Sequence, residues 1–305
     1  MIKILITGSN GFLGSNLVSY FSQKSNYRVF STSQKRSVDP ELNDFIQGNL
    51  LDISFVNHLF STVQPDIVIN TVSLVNVDQC EENPDLANAV TVVTAENIAQ
   101  ASDRYRCRLV YISTDHLFDG KKSMYTEGDI PAPVNIYGKT KLLAERRTLK
   151  HVADTVIVRT NFFGWSPPEH PPTFGEWVYN NLKEKKPMTL FTDYYFTPIE
   201  VTYLAEAIET VATSSFSGII NIAGSERCSK YEFGIALAEE CGFDSGPITP
   251  ATIESDSFKA PRQQDLSLST EKFRKLFNKE LFALRQSIKK FCRDRENKDM
   301  QNNKL

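Results

Sequence analysis

The chain has 305 residues, of which 41% are hydrophobic and 23% are charged, a composition typical of a soluble globular protein. Its length allows one large α/β domain with a smaller companion domain. The net charge of −3 provides no basic surface for nucleic acid, and no segment approaches the ~18 consecutive apolar residues of a membrane span. Neither nucleic acid nor a membrane is therefore an expected partner.

The cysteines and histidines give no sign of a disulfide or a metal site. The five cysteines are scattered and lack CxxC spacing, which argues against a disulfide framework and against a zinc site. The four histidines form no HxH or HExxH pattern, so we expect no metal. No signal-peptide pattern follows Met1. The sequence favours a reducing, cytoplasmic location.

The first half of the chain alternates short apolar runs with helical segments. A β-branched run at 2–7 leads directly into a glycine-rich turn and an amphipathic helix from about Ser15 to Lys24. Further strands are predicted at 27–31, 45–47, 67–70, 108–113 and 156–159, and helices at 85–103 and 135–151. Strands separated by helical segments of about ten or more residues pair in parallel through crossover helices. The pattern predicts an α/β fold with a Rossmann-type doubly wound parallel sheet.

Beyond residue 160 the pattern loosens. Four prolines in 165–172 indicate a loop, and a strand is predicted at 218–223 among helices at about 174–185, 199–213, 230–241, 270–277 and 284–293. We assign residues 1–164 and about 188–223 to a dinucleotide-binding domain. A smaller, mostly C-terminal substrate-binding domain takes about 165–187 and 224–294. The polar tail at 295–305 is expected to be frayed.

Three glycines, Gly8, Gly11 and Gly14, lie between the first predicted strand and its helix. Backbone N–H groups at a helix N-terminus suit a pyrophosphate, so this context favours dinucleotide binding over a purely structural turn. The spacing departs from the general G-x-G-x-x-G fingerprint. The predicted cofactor-binding loop also includes Asn10, Phe12 and Leu13.

The end of the second predicted strand bears on the choice between NADP and NAD. An NAD site usually places a carboxylate there to bond the ribose 2′-hydroxyl, but residues 31–36 contain no acid. Ser33, Lys35 and Arg36 would instead accommodate a 2′-phosphate, unless the two basic residues are only solvated loop charges. We favour NADP, with NAD as the alternative.

Two further motifs have competing interpretations. Asp52, with Ile53 beside it, follows the third predicted strand, where it could either meet the adenine edge of a cofactor or cap a helix. The run 138–140 reads Gly-Lys-Thr, as at the end of a phosphate-binding P-loop. That motif requires a glycine at position 133, where this chain has Pro133, so we reject the P-loop interpretation.

The chemistry of the sequence centres on Tyr137 and Lys141. Residues four apart share one face of a helix, and a neighbouring ammonium would favour the phenolate and lower the pKa of the tyrosine. Thr114 adds a hydroxyl at the end of the predicted strand 108–113. With a dinucleotide site, these groups could reduce a carbonyl or oxidise an alcohol. His116 could line the same cleft, but we expect a solvent-exposed loop histidine.

Together, these motifs resemble the extended short-chain dehydrogenase/reductases that act on nucleotide-sugars, and within them the dTDP-4-dehydrorhamnose reductase branch. The resemblance covers about residues 1–290. It is carried by Thr7-Gly8-x-x-Gly11-x-x-Gly14, Ser113-Thr114-Asp115-x-x-Phe118-Asp119-Gly120, Tyr137-Gly138-x-Thr140-Lys141-x-x-x-Glu145, Val158-Arg159-Thr160 and Ala260-Pro261-Arg262.

The resemblance implies a role for each motif. Tyr137 would protonate the carbonyl oxygen of the substrate, Lys141 would hold the nicotinamide ribose and lower the pKa of Tyr137, and Thr114 would orient the same oxygen. Further residues along the cofactor would be Asn70, Thr71, Val72 and Ser113. The nucleotide-sugar would be lined by Val75, Asp78, Thr114, Asp115, Phe162, Thr197 and Arg262. Arg262 would suit its diphosphate.

The chain departs from the family pattern at three places. His116 stands where the reductases usually have Tyr and where sugar 4,6-dehydratases have Glu. The run 90–92 reads Val-Thr-Val where the family usually has an Asn, and Phe162 or Phe163 replaces an expected Trp. These departures leave reduction intact and leave the particular sugar open.

Three functions follow as hypotheses. The first is an NADP(H)-dependent reductase of a keto group on a nucleotide-activated deoxysugar, in the biosynthesis of dTDP-rhamnose and surface polysaccharide. The second is a non-catalytic, dinucleotide-binding subunit similar to the regulatory subunit of methionine adenosyltransferase. The third is a nucleotide-sugar epimerase, which would consume no NADPH. The oligomeric state stays open, although this family often forms homodimers through the helices predicted at 85–103 and 135–151.

Overall fold

The computed structural model describes residues 1–35, 44–167, 169–255 and 258–302. The strands are β1 (Ile2–Thr7), β2 (Tyr27–Ser33), β3 (Phe45–Gln47), β4 (Ile67–Asn70), β5 (Arg108–Ile112), β6 (Thr155–Arg159), β7 (Phe162–Phe163), β8 (Met188–Phe191), β9 (Tyr195–Phe196), β10 (Ile199–Glu200), β11 (Gly218–Asn221), β12 (Cys228–Ser229) and β13 (Ile248–Ala251). The α-helices are α1 (Phe12–Ser22), α2 (Ile53–Val63), α3 (Val77–Glu82), α4 (Pro84–Ala87), α5 (Thr94–Tyr105), α6 (Ile136–His151), α7 (Phe174–Lys183), α8 (Val201–Ala212), α9 (Lys230–Glu240), α10 (Glu271–Phe277) and α11 (Leu284–Asn302).

Seven of these strands form one sheet in the order β11-β6-β5-β4-β1-β2-β3, and every neighbouring pair is parallel. The strands are nearly continuous apolar runs because both faces of the sheet are covered, as the fully buried Ile4, Leu5 and Ile6 of β1 show. Helices α1 and α8 cover one face, and α2 and α5 cover the other. The predicted Rossmann-type doubly wound sheet is confirmed.

A second hydrophobic cluster lies beyond the sheet. Residues such as Phe163, Leu190 and Phe233 join α7, α9 and α11 with strand β8. Three short strand pairs, β7 with β10, β8 with β13 and β9 with β12, accompany it. The sequence placed residues 188–191 in the dinucleotide-binding domain, but Met188 and Leu190 pack in this second cluster. The short sequence of β8 does not indicate which sheet the strand joins.

Two expectations for the C-terminal part are wrong. Helix α11 does not end at Arg293 but continues to Asn302, because Glu, Lys, Met and Gln are good helix formers and Lys290 pairs with Asp294 one turn on. The cysteines do form a disulfide, between Cys241 and Cys292. They are 51 residues apart in sequence, and the packing of α9 on α11 brings their Cα atoms within 5.7 Å.

The helix predicted at 85–103 is interrupted. Helix α4 ends at Ala87, a π-helical segment spans Asn88–Val93, and α5 then begins. Single π-turns inside helices are frequent at functional sites. Here the segment directs Thr91 inward, where its hydroxyl oxygen accepts a hydrogen bond from the Leu74 N–H at 3.2 Å. The irregular turn therefore holds the loop that follows β4.

Helix α6, which carries the Tyr137 and Lys141 motif, is tied to the sheet by a buried ion pair. The guanidinium of Arg159 on β6 donates from Nε and Nη2 to the two carboxylate oxygens of Glu145, at 3.1 and 2.8 Å. Both side chains are almost fully buried, at 2% and 1% exposure. A bidentate pair of this kind fixes both orientation and distance, so it sets the position of α6 over the strands.

We predict that Arg159→Met lowers the free energy of unfolding by about 3–5 kcal/mol, because it leaves the Glu145 carboxylate buried without a partner. The double variant Glu145→Leu/Arg159→Met should regain most of this loss, since no charge is then buried. Urea denaturation measures both. Arg274→Met, which breaks an exposed ion pair with Glu271, is the matched control and should cost less than about 1 kcal/mol. Equal losses in the two single variants would contradict the prediction.

Candidate active site

The candidate site lies at the carboxyl edge of the sheet, between β1 and β4. The chain leaves β1 toward β2 on one side, whereas β4, β5 and β6 extend the sheet on the other. The loops after β1, β4 and β5 therefore diverge from a common edge, and ligands of doubly wound sheets bind in this crevice. These loops include residues 8–11, 71–73 and 113–116.

The glycine loop has the geometry of a pyrophosphate cradle. Gly8 has φ +73°, and a Cβ there would lie 2.8 Å from Thr71 Oγ1. A Cβ on Gly14 would lie 2.2 Å from the Gly8 carbonyl oxygen. Helix α1 begins after Gly11 without any side-chain cap on its first-turn N–H groups. Only glycine permits this close turn, and the uncapped helix N-terminus is a ready anion site.

Two buried hydroxyls near the loop also lack partners. Ser9 Oγ and Ser113 Oγ are both buried and have no hydrogen-bond partner among the described residues. Such groups are costly to leave unpaired, so they are natural contacts for a bound ligand. Together with the glycine cradle, they make this edge fit a dinucleotide. Phe12 and Leu13, predicted with the loop, form the first turn of α1.

The residues proposed for the 2′-phosphate lie beside the glycine loop. The Thr32 carbonyl oxygen accepts from the Gly8 and Ser9 N–H groups, at 2.9 and 3.2 Å, which places the end of β2 against the loop. Asn10 Nδ2 donates to the Lys35 carbonyl oxygen at 3.4 Å. Ser33 is half-buried and the Lys35 side chain is exposed. Arg36 lies outside the described residues.

Asp52 is the N-cap of α2, a helix that the sequence analysis did not predict. Its Oδ1 accepts a hydrogen bond from the Ser54 N–H at 2.8 Å. The sequence left open whether Asp52 meets an adenine edge or caps a helix, and the structure shows that it caps α2. The Asp52 and Ile53 side chains are also exposed, so a contact with adenine stays a prediction.

Asn70, Thr71 and Val72 connect β4 to the glycine loop. The Thr7 hydroxyl donates to Asn70 Oδ1 at 2.9 Å, and the same oxygen accepts from the Val72 N–H at 3.0 Å. The Thr71 hydroxyl donates to the Thr7 carbonyl oxygen at 2.7 Å. These bonds fix the loop after β4 against the loop after β1, so the three residues lie along the predicted cofactor path.

Tyr137 and Thr114 meet at the mouth of the cleft. Tyr137 is half-buried, and burial raises its pKa well above the usual range, while its interaction with the Thr114 side chain partly opposes the shift. The nearby Asp115 carboxylate raises the pKa further. Tyr137 is thus a protonated phenol beside a second hydroxyl, an arrangement suited to protonating a carbonyl oxygen.

Lys141 does not lower the pKa of Tyr137, contrary to the prediction. Its ammonium donates to the Ile112 carbonyl oxygen at 2.6 Å and lies 4.5 Å from the centre of the Tyr111 ring. Burial lowers the pKa of Lys141 itself to about 7, opposed by the charge of Glu145. The helical spacing predicts neighbouring Cα positions, but the flexible lysine side chain turns toward the sheet.

The location of α6 is set by a helix cap, Asn135, and by a glycine, Gly138. Asn135 Oδ1 accepts from the Gly138 N–H at 2.9 Å, and its Nδ2 donates to the Pro261 carbonyl oxygen at 3.0 Å. A Cβ on Gly138 would lie 2.3 Å from the His116 carbonyl oxygen. The glycine therefore lets the helix approach the loop after β5 closely enough to bring Tyr137 beside Thr114.

Several residues predicted to contact the substrate share one polar cluster. Arg262 Nη2 pairs with Asp78 Oδ1 at 3.0 Å, while Nη1 is buried and has no hydrogen-bond partner within the described ranges. Asp115 accepts from the Thr114 hydroxyl at 3.0 Å and from the Asn161 side-chain amide. Val75, with 69% exposure, lies at the surface.

Two other predicted substrate residues occupy different surroundings. Thr197 is completely buried, and its hydroxyl oxygen accepts from the Leu268 N–H at 3.1 Å, so it supports the fold, and a substrate contact stays a prediction. Phe162 packs against Phe12 of the glycine loop, with ring centres 5.3 Å apart. The sequence placed both residues near the cleft but could not show which way each side chain points.

The sequence analysis missed an aromatic cavity with a cation in its wall. The cavity has a volume of about 580 Å³ and is lined by residues that include Phe174, Trp177, Tyr194, Lys230 and Phe258. Lys230 Nζ lies 3.4 Å from the centre of the Phe196 ring, and burial lowers the pKa of this lysine to about 8. These residues come from separate elements, so no local motif signalled the cavity.

His116 is not the exposed loop histidine that we expected. Its ring is half-buried and meets the Tyr137 ring edge-to-face, with centres 5.3 Å apart. Burial lowers the pKa of His116, and the charges of Arg262 and Lys230 lower it further, against the effect of Asp115. His116 therefore belongs to the same cleft as Tyr137.

The parallel sheet, the glycine loop and the Tyr137/Lys141 helix define an extended short-chain dehydrogenase/reductase. The chain belongs to the RmlD substrate binding domain family, whose model matches residues 2–297. The resemblance seen in the sequence is thereby confirmed, and it extends over almost the whole chain.

Similar proteins are found among both curated sequences and solved structures. The spore coat polysaccharide biosynthesis protein SpsK of Bacillus subtilis is 33% identical over 86% of this chain and 87% of its own length. Methionine adenosyltransferase 2 subunit beta of Rattus norvegicus is 30% identical over 90% and 82%. The dTDP-4-dehydrorhamnose reductase of Bacillus anthracis, solved in complex with NADP, superimposes with a TM-score of 0.85 at 25% identity, covering 95% of this chain and 99% of that one.

Two negative findings concern the described residues alone. No three His, Cys, Asp or Glu side chains come together there as a metal site would require. Among the helices of the same ranges, none combines the length and apolar character needed to cross a membrane.

We predict that Lys141→Met flattens the alkaline pH dependence of stability. The pKa of Lys141 is about 7 in the folded protein, against 10.5 for an ordinary lysine. Between these values the unfolded chain holds one more proton, so the free energy of unfolding of the wild type should rise with pH across this window. Urea denaturation at several pH values tests this. Lys139→Met, at an exposed position on the same helix, should keep the wild-type slope. Parallel curves for all three proteins would contradict the burial of Lys141.

Proposed function

We propose that this protein is an NADP(H)-dependent reductase of a keto group on a nucleotide-activated deoxysugar, similar to dTDP-4-dehydrorhamnose. The proposal rests chiefly on one observation. A protonated phenol, Tyr137, lies beside the Thr114 hydroxyl at the edge of a sheet whose neighbouring loop is shaped for a dinucleotide. These groups are what a carbonyl reduction requires of a protein: a proton donor, a second hydrogen bond to the oxygen, and a cofactor site.

The cofactor would lie along the loops after β1, β4 and β5. The uncapped N-terminus of α1 would bind its pyrophosphate, and Ser9 and Ser113 would offer their unpaired hydroxyls. Lys35 and Ser33 would bind a 2′-phosphate by donating hydrogen bonds to it, which favours NADP over NAD. When bound, the cofactor supplies the hydride.

Tyr137 would protonate the oxygen of the substrate carbonyl, and Thr114 would orient it. The raised pKa of Tyr137 keeps the phenol protonated at neutral pH, so Tyr137 can donate its proton as negative charge develops on that oxygen. Thr114 would orient the oxygen with a second hydrogen bond. Lys141 donates one of the three N–H groups of its ammonium to the Ile112 carbonyl oxygen and would bind the nicotinamide ribose with the others.

The nucleotide half of the substrate would occupy the polar cluster and the aromatic cavity. Arg262 has an unpaired Nη1 and would bind a diphosphate oxygen, with Lys230 as a second cation. The aromatic walls offer flat surfaces to a pyrimidine base. The similarity to a spore coat polysaccharide biosynthesis protein and to a dTDP-4-dehydrorhamnose reductase supports a role in the biosynthesis of dTDP-rhamnose or a related surface polysaccharide sugar.

A regulatory, non-catalytic function is the second candidate. It is favoured by the 30% identity to a methionine adenosyltransferase subunit over most of both chains. The proximity of Thr114 to the protonated phenol of Tyr137 supports catalysis instead. Co-purification of a larger partner, together with no NADPH oxidation on any keto-sugar nucleotide, would favour the regulatory function.

We predict that Tyr137→Phe lowers the turnover of dTDP-4-dehydrorhamnose at least about a hundredfold, because a positioned general acid contributes roughly that much or more. NADPH binding, followed by fluorescence, should be unchanged, since the phenol is not part of the pyrophosphate cradle. NADPH absorbance measures turnover. Tyr105→Phe, which removes a half-buried hydroxyl that bonds the Asn57 carbonyl oxygen on α2, is the control and should retain full activity. An active Tyr137→Phe variant would disprove the assigned role.

We predict that Lys230→Gln raises the KM for dTDP-4-dehydrorhamnose about tenfold or more and changes kcat little, because a charge-assisted bond to a non-reacting group is lost. The exposed Lys183 on α7 provides the matched control, and Lys183→Gln should leave KM unchanged. Steady-state kinetics with saturating NADPH separates the two parameters. A fall in kcat at constant KM would place Lys230 outside the diphosphate site.

A further inference from the structure

The ring of His116 packs against Tyr137 and carries a nitrogen without a hydrogen-bond partner in the part of the chain that the structure describes. Its backbone is held at both ends, since its N–H donates to Thr114 Oγ1 at 3.2 Å and its carbonyl oxygen accepts from Gln263 Nε2 at 3.3 Å. The ring, by contrast, contacts Tyr137 edge-to-face, with centres 5.3 Å apart. Nδ1 is buried and has no hydrogen-bond partner among the described residues.

Burial lowers the pKa of His116 and keeps the ring neutral. The guanidinium of Arg262 and the ammonium of Lys230 both disfavour a second proton, and so does burial, while only the Asp115 carboxylate favours it. A neutral imidazole has one nitrogen that donates and one that accepts. A hydroxyl group has the same dual capacity, and it is the commonest substituent of a sugar ring.

Packing alone does not explain a histidine at this position. An apolar aromatic residue would make the same edge-to-face contact with Tyr137 without leaving a polar atom unpaired. A buried polar atom without a partner costs free energy, and such atoms cluster where a ligand completes the bonding. The orphaned nitrogen therefore indicates a partner that arrives with the substrate.

We propose that the imidazole of His116 hydrogen-bonds a hydroxyl group of the substrate's sugar ring, adjacent to the carbonyl that Tyr137 protonates, and thereby selects which sugar is accepted. This inference rests on the proposed function, because it takes the sugar to lie against Tyr137. His116 is a specificity residue in this arrangement and transfers no proton. Its contact is made equally in the ground state and the transition state, so its removal should weaken binding more than turnover.

The test compares two ligands that differ only in the sugar, dTDP-rhamnose and dTDP, by calorimetry with NADP present. His116→Phe keeps the ring contact with Tyr137 and removes both nitrogens. We expect about tenfold weaker binding of dTDP-rhamnose, the effect of one lost neutral hydrogen bond, and unchanged binding of dTDP. His116→Gln, which retains a donor and an acceptor, should recover part of the loss. It also serves as the test if His116→Phe does not fold.

Kinetics with dTDP-4-dehydrorhamnose provides the second readout. His116→Phe should raise KM about tenfold, keep kcat within about twofold, and leave the pH profile of kcat unchanged. An equal loss for dTDP and dTDP-rhamnose, no loss for either, or a shifted pH profile would overturn the proposal. Wild-type protein that binds dTDP-rhamnose but never oxidises NADPH would refute the reductase function, and the binding comparison would still decide the role of His116.

Discussion

The buried pair of Glu145 and Arg159 is the constraint on which the site depends. A charged pair that is almost completely removed from water is stable only when its geometry is good, so the helix and the strand that carry the partners cannot slide independently. Helix α6 is therefore fixed over β5 and β6. Its first turns carry Tyr137 and Lys141. Glu145 follows Lys141 by one turn and Tyr137 by two, so the salt bridge fixes the positions of both residues.

The same region contains a series of polar groups whose bonding is incomplete. Ser9 follows β1, Ser113 and His116 follow β5, and Arg262 pairs with Asp78, and each of the four has a buried donor or acceptor with no partner among the described residues. Folding tolerates such groups only at a cost in stability. In the proposed arrangement Ser9 and Ser113 would meet the cofactor, His116 and Arg262 would meet the substrate, and the phenol of Tyr137 would lie between the two.

The substrate side is built from distant parts of the chain. Asp78 follows β4, whereas its partner Arg262 comes from the loop before α10. Lys230 begins α9, and its ammonium lies against the rings of Phe174 on α7 and Phe196 on β9. The aromatic cavity thus borders the second hydrophobic cluster and combines the cation and the flat surfaces that a nucleotide would need.

The sequence by itself determined the parallel sheet, the glycine loop and the positions of Thr114, Tyr137 and Lys141, because strand and helix periodicity and backbone-dictated motifs are local. It did not determine where long side chains turn: Lys141 bonds the Ile112 carbonyl oxygen, Thr197 is buried, and His116 lies against Tyr137. Nor did it reveal the aromatic cavity or the bond between Cys241 and Cys292. These features depend on which distant elements pack together, and only the tertiary structure decides that.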